Sequence, residues 1–387
     1  MQIISLCLRV SVVNNNMKEL QEILVKISQF APDEKAILAT VVDVQGSGYR
    51  RAGARMLIDA AGKSIGTVSG GCLEADVSER AKKVLQTDVP TVVIYDTTQD
   101  ENSIFGLGMG CRGVIRVLLE SVTKESNVLK SFDSVIKNRE MEVVATLIAG
   151  ENNVNVGGRV FYNHIEQFNF VNLPNSFENL ESLKADCLKI YAGENKSAVE
   201  TYQTATGATE FFIERIAPPL NLLVFGAGFD ALPVVRFAKE LGWRVCVIDH
   251  RAAFANQERL PEADEIFVAR VEGLDEKLFN DDNSVAVVLT HNYELDREIL
   301  YRLLNSKCRY IGALGPKKRM ENLIQEMRDE KRKFDERNLE KIHAPVGLDI
   351  GAETPEEIAL AVVAEIKTAL SNRRGGFLRE RNGSING

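Results

Sequence analysis

Two short segments of the chain place a cysteine directly after glycines. Gly70-Gly71-Cys72 precedes a predicted helix, and Gly110-Cys111 precedes a predicted strand. Glycines allow positive φ angles, so the backbone N–H groups can approach a ligand closely. A thiol in such a turn is suited to a soft metal or sulfur centre. The same pattern also fits two small buried residues beside tight turns, and the sequence leaves both roles open.

Three arginines occur within six residues, at Arg50, Arg51 and Arg55, between two predicted strands. Their planar guanidinium groups are suited to bind a phosphate or a pterin-like anion through paired hydrogen bonds. A solvated, charge-rich loop is the alternative interpretation. The arginines are therefore candidate ligand residues.

A glycine motif follows a run of apolar residues near the middle of the chain. Gly226, Gly228 and Ala231 form the pattern G-x-G-x-x-A, and Asp249 follows about twenty residues later, after a second apolar strand. This order is typical of a dinucleotide-binding βαβ unit, in which the helix N-terminus binds a phosphate. The pattern predicts a site for NAD(P) or another nucleotide, with a Rossmann fold that has an empty site as the alternative.

Other polar residues are predicted to lie at the same edge of that sheet. In the usual strand order 3-2-1-4-5, His291 follows the fourth strand and lies beside the glycine motif. Asp249 would accept hydrogen bonds from a ribose diol, whereas Arg251 would meet an extra phosphate, so the choice of cofactor is open. Lys317 opens a helix with two further cations, which indicates an anionic ligand or plain solvent exposure.

The pattern of elements predicts an α/β protein of two domains. Residues 17–215 are predicted to form an N-terminal α/β domain, and 219–371 a Rossmann-like, doubly wound parallel sheet, with Pro218-Pro219 between them. Residues 1–16 are predicted to be a disordered extension and 372–387 a disordered tail. The strands of the second domain are predicted at 221–225, 244–248, 265–268, 284–290, 309–313 and 341–346.

Composition narrows the class of protein. The net charge of −8 over 387 residues argues against a nucleic-acid partner. No apolar run is long enough to span a membrane. The six cysteines form no C-x-x-C pair, which favours a reducing, cytoplasmic setting and argues against disulfides and a structural zinc site.

Taken together, the motifs resemble those of the XdhC/CoxI family of accessory proteins for molybdenum hydroxylases such as xanthine dehydrogenase. The resemblance runs from about Met17 to Leu370. Its motifs in the first domain are Gly46-Ser-Gly-Tyr-Arg-Arg51, Gly53-Ala-Arg55-Met, Ser69-Gly-Gly-Cys-Leu-Glu-Ala-Asp76 and Gly108-x-Gly110-Cys111-x-Gly113. Those in the second domain are Gly226-Ala-Gly228, Thr290-His-Asn-Tyr-Glu-Leu-Asp296, Gly315-Pro-Lys-Lys-Arg319 and the segment 344–358. The chain departs from the family at Phe229, where relatives often carry histidine.

The resemblance implies a chaperone that binds molybdenum cofactor (molybdopterin), protects it while its sulfido ligand is installed, and delivers it to the apo-hydroxylase. It implies no catalytic residue and leaves a metal site undefined. In that case the glycine motif and Asp249 would form one wall of a cleft for the phosphorylated pterin or its nucleotide form, with NAD as the alternative occupant. A homodimer and a cysteine desulfurase as a second partner would fit this role. Two other classes of function remain open. One is an NAD(P)-dependent oxidoreductase that uses the second domain, and the other is a nucleotide-sensing scaffold for hydroxylase maturation.

Overall fold

The computed structural model describes residues 17–382 with gaps at 47, 97–112, 151–154, 166, 174–176, 194–196 and 206. The predicted extension at 1–16 and the last five residues of the predicted tail lie outside the described residues. The part of the tail that is described, 372–382, includes a short 3₁₀ helix at Leu378–Glu380. Residue contacts divide the chain between Pro218 and Pro219 into two compact units, which we call the N-terminal and C-terminal units.

The N-terminal unit contains the same succession of elements twice. The first repeat comprises α1 (Met17–Ser28), β1 (Ala36–Gly46), β2 (Arg55–Asp59), β3 (Ser64–Gly66), α2 (Glu74–Thr87), β4 (Thr91–Asp96) and β5 (Gly113–Val122). The second comprises α3 (Asn127–Asn138), β6 (Glu142–Ala149), β7 (Arg159–Asn163), β8 (Gln167–Val171), α4 (Leu180–Ala192), β9 (Ser197–Thr204) and β10 (Gly207–Ile216). Each repeat forms one antiparallel sheet, in the orders β3-β2-β1-β5-β4 and β8-β7-β6-β10-β9. The sequence interpretation did not include this duplication.

Strand register establishes which residues of the two repeats correspond. Thr40 on β1 pairs with Arg55 on β2, and Thr146 on β6 pairs with Arg159 on β7. The turn before each arginine is also the same, because Gly53 and Gly157 both have positive φ and both donate their N–H to the equivalent residue of the preceding strand. The two halves of the unit therefore match in register as well as in strand order.

Ion pairs between the two sheets reproduce this duplication. Arg55 of the first repeat binds Glu214 on β10, and Arg159 of the second binds Glu120 on β5. Each arginine also donates to a carbonyl of its own turn, to Gly53 at 2.8 Å and to Gly157 at 2.9 Å. All four side chains are buried. Burial raises the pKa of Glu214, while the Arg55 guanidinium acts in the opposite direction. A buried carboxylate of this kind depends on its partner to stay charged.

Apolar residues fill the space on both sides of each sheet. Between the sheets, Val42 and Leu118 of the first repeat pack with Ile148 and Phe212 of the second. On the outer faces, α2 covers the first sheet and α4 covers the second. The amphipathic helix α1 buries Leu20 and three other apolar residues in a further cluster that both sheets share. The strands from which the loops extend therefore belong to sheets that are packed on both faces.

The C-terminal unit is a parallel sheet with helices on both faces, which confirms the predicted fold class. Its strands are β11 (Asn221–Phe225), β12 (Arg244–Asp249), β13 (Glu265–Val268), β14 (Ser284–Val288), β15 (Ile311–Ala313) and β16 (Ile342–His343). They lie in the order β13-β12-β11-β14-β15-β16. The helices are α5 (Ala231–Glu240), α6 (Tyr293–Leu304), α7 (Lys317–Asp329) and α8 (Pro355–Leu370). α5 and α8 cover one face, and α6 and α7 the other.

The predicted strand 284–290 ends two residues early. The chain leaves the sheet after Val288 and turns at His291, whose φ is 56°. The two residues missing from the strand belong to the turn that carries a candidate site residue.

Loss of one buried arginine tests the cross-sheet ion pairs. We expect Arg55→Ala to lower the free energy of unfolding by about 3–5 kcal/mol, because Glu214 would stay buried without its partner. The control is Arg80→Ala, which removes an exposed pair with Asp76 and should cost less than about 1 kcal/mol. Urea denaturation measures both. Equal losses in the two variants would contradict the structural role of the buried pair.

Candidate functional site

Two loops of the first repeat lie against each other. One loop, residues 48–54, follows β1, and the other, residues 67–73, leads into α2. The ring of Tyr49 packs on Gly70, where an added Cβ would collide with the Tyr49 Cδ1 atom. Gly70 has a φ of 84°, so two independent constraints require glycine there. Tyr49 is nevertheless 71% exposed, which leaves an aromatic surface open to a ligand.

Cys72 lies in the second of these loops and is exposed. The next residue, Leu73, is buried and anchors the end of the loop in the core. The loop thus holds its thiol toward solvent in the same pair of loops as the Tyr49 ring. These two loops, with Tyr49, Arg51, Gly70, Gly71 and Cys72, are called the thiol site below.

The carboxylate of Glu74 organises the backbone around Cys72. It accepts the N–H groups of Ser69 at 2.9 Å, Gly70 at 3.1 Å and Gly71 at 2.8 Å, and those of Val68 and Leu73 at 3.2 Å. The Ser69 hydroxyl donates to it as well, at 2.5 Å. The glycine N–H groups were expected to face a ligand. They converge instead on a carboxylate of the protein itself, because the positive φ of both glycines turns them inward.

The hydrogen bonds to Glu74 also stabilise its charge. Burial by itself would raise the pKa of this carboxyl, but the Ser69 hydroxyl and the backbone N–H groups lower the pKa to about 2. The carboxylate is therefore ionised at any physiological pH, so its hydrogen bonds to the loop persist in that range.

The three arginines of the first domain have three different environments. Arg50 binds Glu19 of α1 at 2.5 Å and is partly buried. Arg55 is buried in the cross-sheet ion pair with Glu214 and lies over the Phe132 ring, so it is not available to an external anion. Arg51, two residues after Tyr49 in the chain, is exposed. Among these three, Arg51 is the residue placed to meet a ligand.

The second predicted cysteine loop, with Gly110 and Cys111, lies outside the described residues. Its end is located by Gly113, the first residue of β5, which pairs with Gly46 at the end of β1. The connection between β4 and β5 therefore rejoins the sheet at the strand end where the Tyr49 loop begins. In the second repeat the equivalent strands β9 and β10 are joined by residues 205 and 206 alone. The fold itself does not require the longer connection.

The second repeat lacks the chemical groups of the first. Its segment 172–179, which precedes α4, contains no cysteine and no glycine pair, and its segment 150–155 contains no arginine and no aromatic residue. Since the two repeats share one backbone plan, their difference lies in the loops. The residues suited to chemistry are concentrated in the loops of one repeat.

In the C-terminal unit, the glycine motif forms the predicted turn between β11 and α5. Gly226 has a φ of 107°, and an added Cβ would lie 2.6 Å from the Leu289 carbonyl oxygen. The position of a Cβ at Gly228 is open space, and Ala231 is fully buried at the start of α5. Gly226 is thus needed for packing against the end of β14, while the backbone at Gly228 is accessible.

Asp249 has a different role from the one that the sequence suggested. Its carboxylate accepts the Ala227 N–H at 2.8 Å and the Arg251 N–H at 2.9 Å, and the Arg251 guanidinium binds both of its oxygens. Burial would raise the pKa of Asp249, yet these hydrogen bonds lower the pKa to about 2. The expected acceptor for a ribose diol is therefore already occupied by donors of the protein.

The structure places His291 at the glycine motif, as the strand order suggested. Its Nε2 atom lies 2.8 Å from Asp230 Oδ2, two residues after Gly228, and its side chain is 60% exposed. Lys317 is the first residue of α7 and is 77% exposed, with Glu321 4.0 Å away. No described contact joins Lys317 to the glycine motif.

Sequence reasoning missed three residues of these sites. Tyr49 and Glu74 lie inside motifs that were recognised for their neighbours, so their positions in Gly-Tyr-Arg-Arg and Gly-Gly-Cys-Leu-Glu were the available signal. Arg259 lies over the Phe229 ring beside the glycine motif, with 5.1 Å from its guanidinium carbon to the ring centroid. Nothing in its local sequence indicates that contact.

Two absences among the described residues bear on the kind of site. Within that part of the chain, no group of three or more His, Cys, Asp or Glu side chains is arranged to hold a metal ion. None of the helices described is both long enough and apolar enough to cross a membrane.

The fold and the site define a class of protein, in which a duplicated α/β unit with an exposed thiol loop precedes a Rossmann-type domain. Family models agree, since the XdhC and CoxI family matches residues 30–96 and the XdhC Rossmann domain matches 222–366. A Bacillus subtilis protein, described as a probable subunit of xanthine dehydrogenase, is 33% identical over 86% of this chain and 92% of its own length. The chain belongs to the XdhC and CoxI family, which confirms the resemblance found in its motifs.

Two further relatives extend the comparison. The Escherichia coli protein "Molybdenum cofactor insertion chaperone PaoD" is 22% identical over 86% of this chain and 82% of its own length. A crystal structure described as a xanthine dehydrogenase from Bacillus halodurans superimposes with a TM-score of 0.73 at 29% identity, and covers 92% of this chain and 96% of that one. The similarity therefore includes both units.

Removal of the Glu74 carboxylate tests how the thiol site is organised. We expect Glu74→Gln to disorder the loop and to accelerate alkylation of Cys72, because several N–H donors lose a charged acceptor. Glu79→Gln, an exposed change on the same helix, is the control. Alkylation followed by mass spectrometry measures the rate.

The pH dependence of the loop provides an independent check. A carboxylate whose folded-state pKa is lowered stabilises the fold above its ordinary pKa, and this stabilisation is lost as the pH falls through the folded-state value. The amide NMR signals of Gly70 and Gly71 should therefore shift with a midpoint near the Glu74 pKa of about 2. A midpoint at the ordinary glutamate pKa of about 4.3 would show that the carboxylate is not bound in solution.

Proposed function

We propose that this protein is a maturation factor that binds molybdenum cofactor at the thiol site and delivers it to a xanthine dehydrogenase-type molybdenum hydroxylase. The observation that supports this most directly is the pair of contacting loops that present Cys72 and the Tyr49 ring to solvent. A maturation factor must bind its cargo firmly and then release it. An accessible site on a rigid support suits both requirements.

The chemistry of the cargo matches the groups at the site. The cofactor is an anionic, phosphate-bearing pterin with a molybdenum centre whose ligands include sulfur. The Cys72 thiol is a soft group suited to that centre. The exposed Tyr49 ring offers a stacking surface for the flat pterin, and the exposed Arg51 offers a cation for the phosphate. Each group of the cargo thus has a counterpart in the first repeat.

Descriptions of relatives support the proposal and also pose a question. One relative is described as a molybdenum cofactor insertion chaperone, and another as a probable subunit of xanthine dehydrogenase. A chaperone leaves its client after delivery, whereas an integral component of the enzyme stays bound. We propose the transient role, with the apo-hydroxylase as the partner. A cysteine desulfurase partner and a homodimer rest on the family resemblance alone.

Pterin content and client activation test the proposal together. Protein purified from a molybdenum-replete host should carry pterin in a near-stoichiometric amount and should activate the apo-hydroxylase. Tyr49→Ala should weaken pterin binding about 3- to 10-fold through loss of stacking. Cys72→Ser should reduce retention of the intact cofactor more than retention of the metal-free pterin, because the thiol contacts the metal centre. In size-exclusion chromatography after activation, this protein and the hydroxylase should elute as separate peaks.

Matched controls separate these effects from loss of stability. Phe377→Ala removes another exposed aromatic side chain, 66% exposed, and should leave pterin binding unchanged. Cys187→Ala is the control for loss of a thiol, because Cys187 is buried away from the thiol site. Burial raises the pKa of this cysteine to about 12. The proposal fails if no pterin is recovered and if Cys72→Ser and Cys111→Ser activate the client as well as the unaltered protein does.

A further inference from the structure

We infer that the C-terminal unit binds a nucleotide whose ribose carries a phosphate group, and that it discriminates against a nucleotide with a free ribose diol. This inference is independent of the proposed cofactor delivery. It rests on the surroundings of Asp249 and on four stacked side chains beside the glycine motif, which we call the layered group. Its members are Arg251, Phe254, Arg259 and Phe229.

The Asp249 carboxylate has no acceptor capacity left for a ligand. A carboxylate offers about four lone-pair positions to hydrogen-bond donors. At Asp249 the Ala227 N–H, the Arg251 N–H and two nitrogens of the Arg251 guanidinium use them, at 2.6 to 2.9 Å. The carboxylate is also buried, with 5% of the residue exposed. A ribose diol would have to displace Arg251 before it could donate to Asp249.

The Arg251 guanidinium faces the ligand position in place of the Asp249 carboxylate. The Arg251 side chain is 40% exposed, and its guanidinium lies 4.3 Å from the centroid of the Phe254 ring. Asp249 on one side and Phe254 on the other restrict its position. At the ribose-binding position of the fold, the structure therefore presents a fixed cation and not an acceptor. A planar guanidinium is well suited to bind a phosphate.

Arg259 is a second cation in the layered group. Arg259 lies over the rings of Phe254 and Phe229, at 4.9 Å and 5.1 Å from their centroids. Among the described residues it has no carboxylate partner, and its Nε and one terminal nitrogen are shielded from solvent without a hydrogen bond. Asp249 balances the charge of Arg251 but not that of Arg259. The layered group thus has an excess positive charge.

The layered group is joined to the phosphate-binding turn. Phe229 directly follows Gly228, whose Cβ position is open space, and it is 70% exposed. The first turn of α5 is suited to the diphosphate of a nucleotide, and the layered group to a further phosphate on the ribose. Two natural sources share this chemistry, because the phosphate can be at the ribose 2′ position, as in NADP, or at the 3′ position, as in coenzyme A.

Calorimetric titration of the full chain tests the inference with three probes. We expect 2′,5′-ADP or 3′,5′-ADP to bind about 10- to 100-fold more tightly than 5′-AMP, which has the same 5′-phosphate and a free ribose diol. This factor is typical for a hydrogen-bonded charge pair. The phosphorylated probe that binds more tightly identifies the position of the phosphate, and titration with NADP⁺ and coenzyme A then identifies the source. Equal or tighter binding of 5′-AMP, or no binding of any probe at millimolar concentration, overturns the inference.

Arg251→Ala provides the sharper comparison. It removes the cation and frees the Asp249 carboxylate, so the preference should invert in favour of 5′-AMP, whose diol can then donate to Asp249. Arg236→Ala, which removes a guanidinium exposed on α5, is the matched control and should keep the original preference. Thermal melting verifies that both variants fold. An unchanged preference in Arg251→Ala would contradict the assigned role, whereas failure of pterin binding at the thiol site would leave this result untouched.

Discussion

The two reciprocal ion pairs between the sheets are the constraint on which the N-terminal unit depends. Arg55 and Arg159 each extend from one repeat to a glutamate of the other, and all four side chains are buried. Buried charges are costly unless each is paired and hydrogen-bonded, so the two sheets have one arrangement in which this cost is offset. The pairs therefore favour this packing of the repeats, and apolar residues such as Leu118 and Phe212 lie around them.

Because the two repeats have the same arrangement of strands and helices, their loops can differ in length and sequence without a change of fold. The repeats differ most in length at one connection, because residues 205 and 206 alone join β9 to β10, whereas residues 97–112 lie between β4 and β5. At the other loops the repeats differ in sequence, and the Tyr49 loop and the Cys72 loop belong to the first repeat. Within the first repeat, Glu74 acts as an internal ligand for the backbone around Cys72. The loop is consequently held in place by groups of the protein itself, so a ligand that bound there would cost less conformational entropy.

Motifs identified the regions of the sites well but assigned individual roles less well. The order of strands in the C-terminal unit, the glycine turn and the position of His291 followed from the sequence, because parallel βαβ connections permit few alternatives. Among the candidate arginines, Arg51 is exposed, while Arg55 is part of the core. The internal duplication was missed, although Gly53-Ala-Arg55 and Gly157-Gly-Arg159 repeat one pattern. A match of so few residues is visible only when strand register aligns it.

The sequence by itself determined the fold class, the family and the loops that carry reactive groups, since these depend on local periodicity and on glycines at special backbone angles. Only the tertiary structure decided which charged groups are already satisfied. Arg55 finds its partner 159 residues away, and Asp249 receives the Ala227 N–H across 22 residues. A hydrogen bond depends on the distance between two groups in space, and no local pattern records that distance. For this reason the same residue types, arginine and aspartate, were recognisable in the sequence, but their availability to a ligand was not.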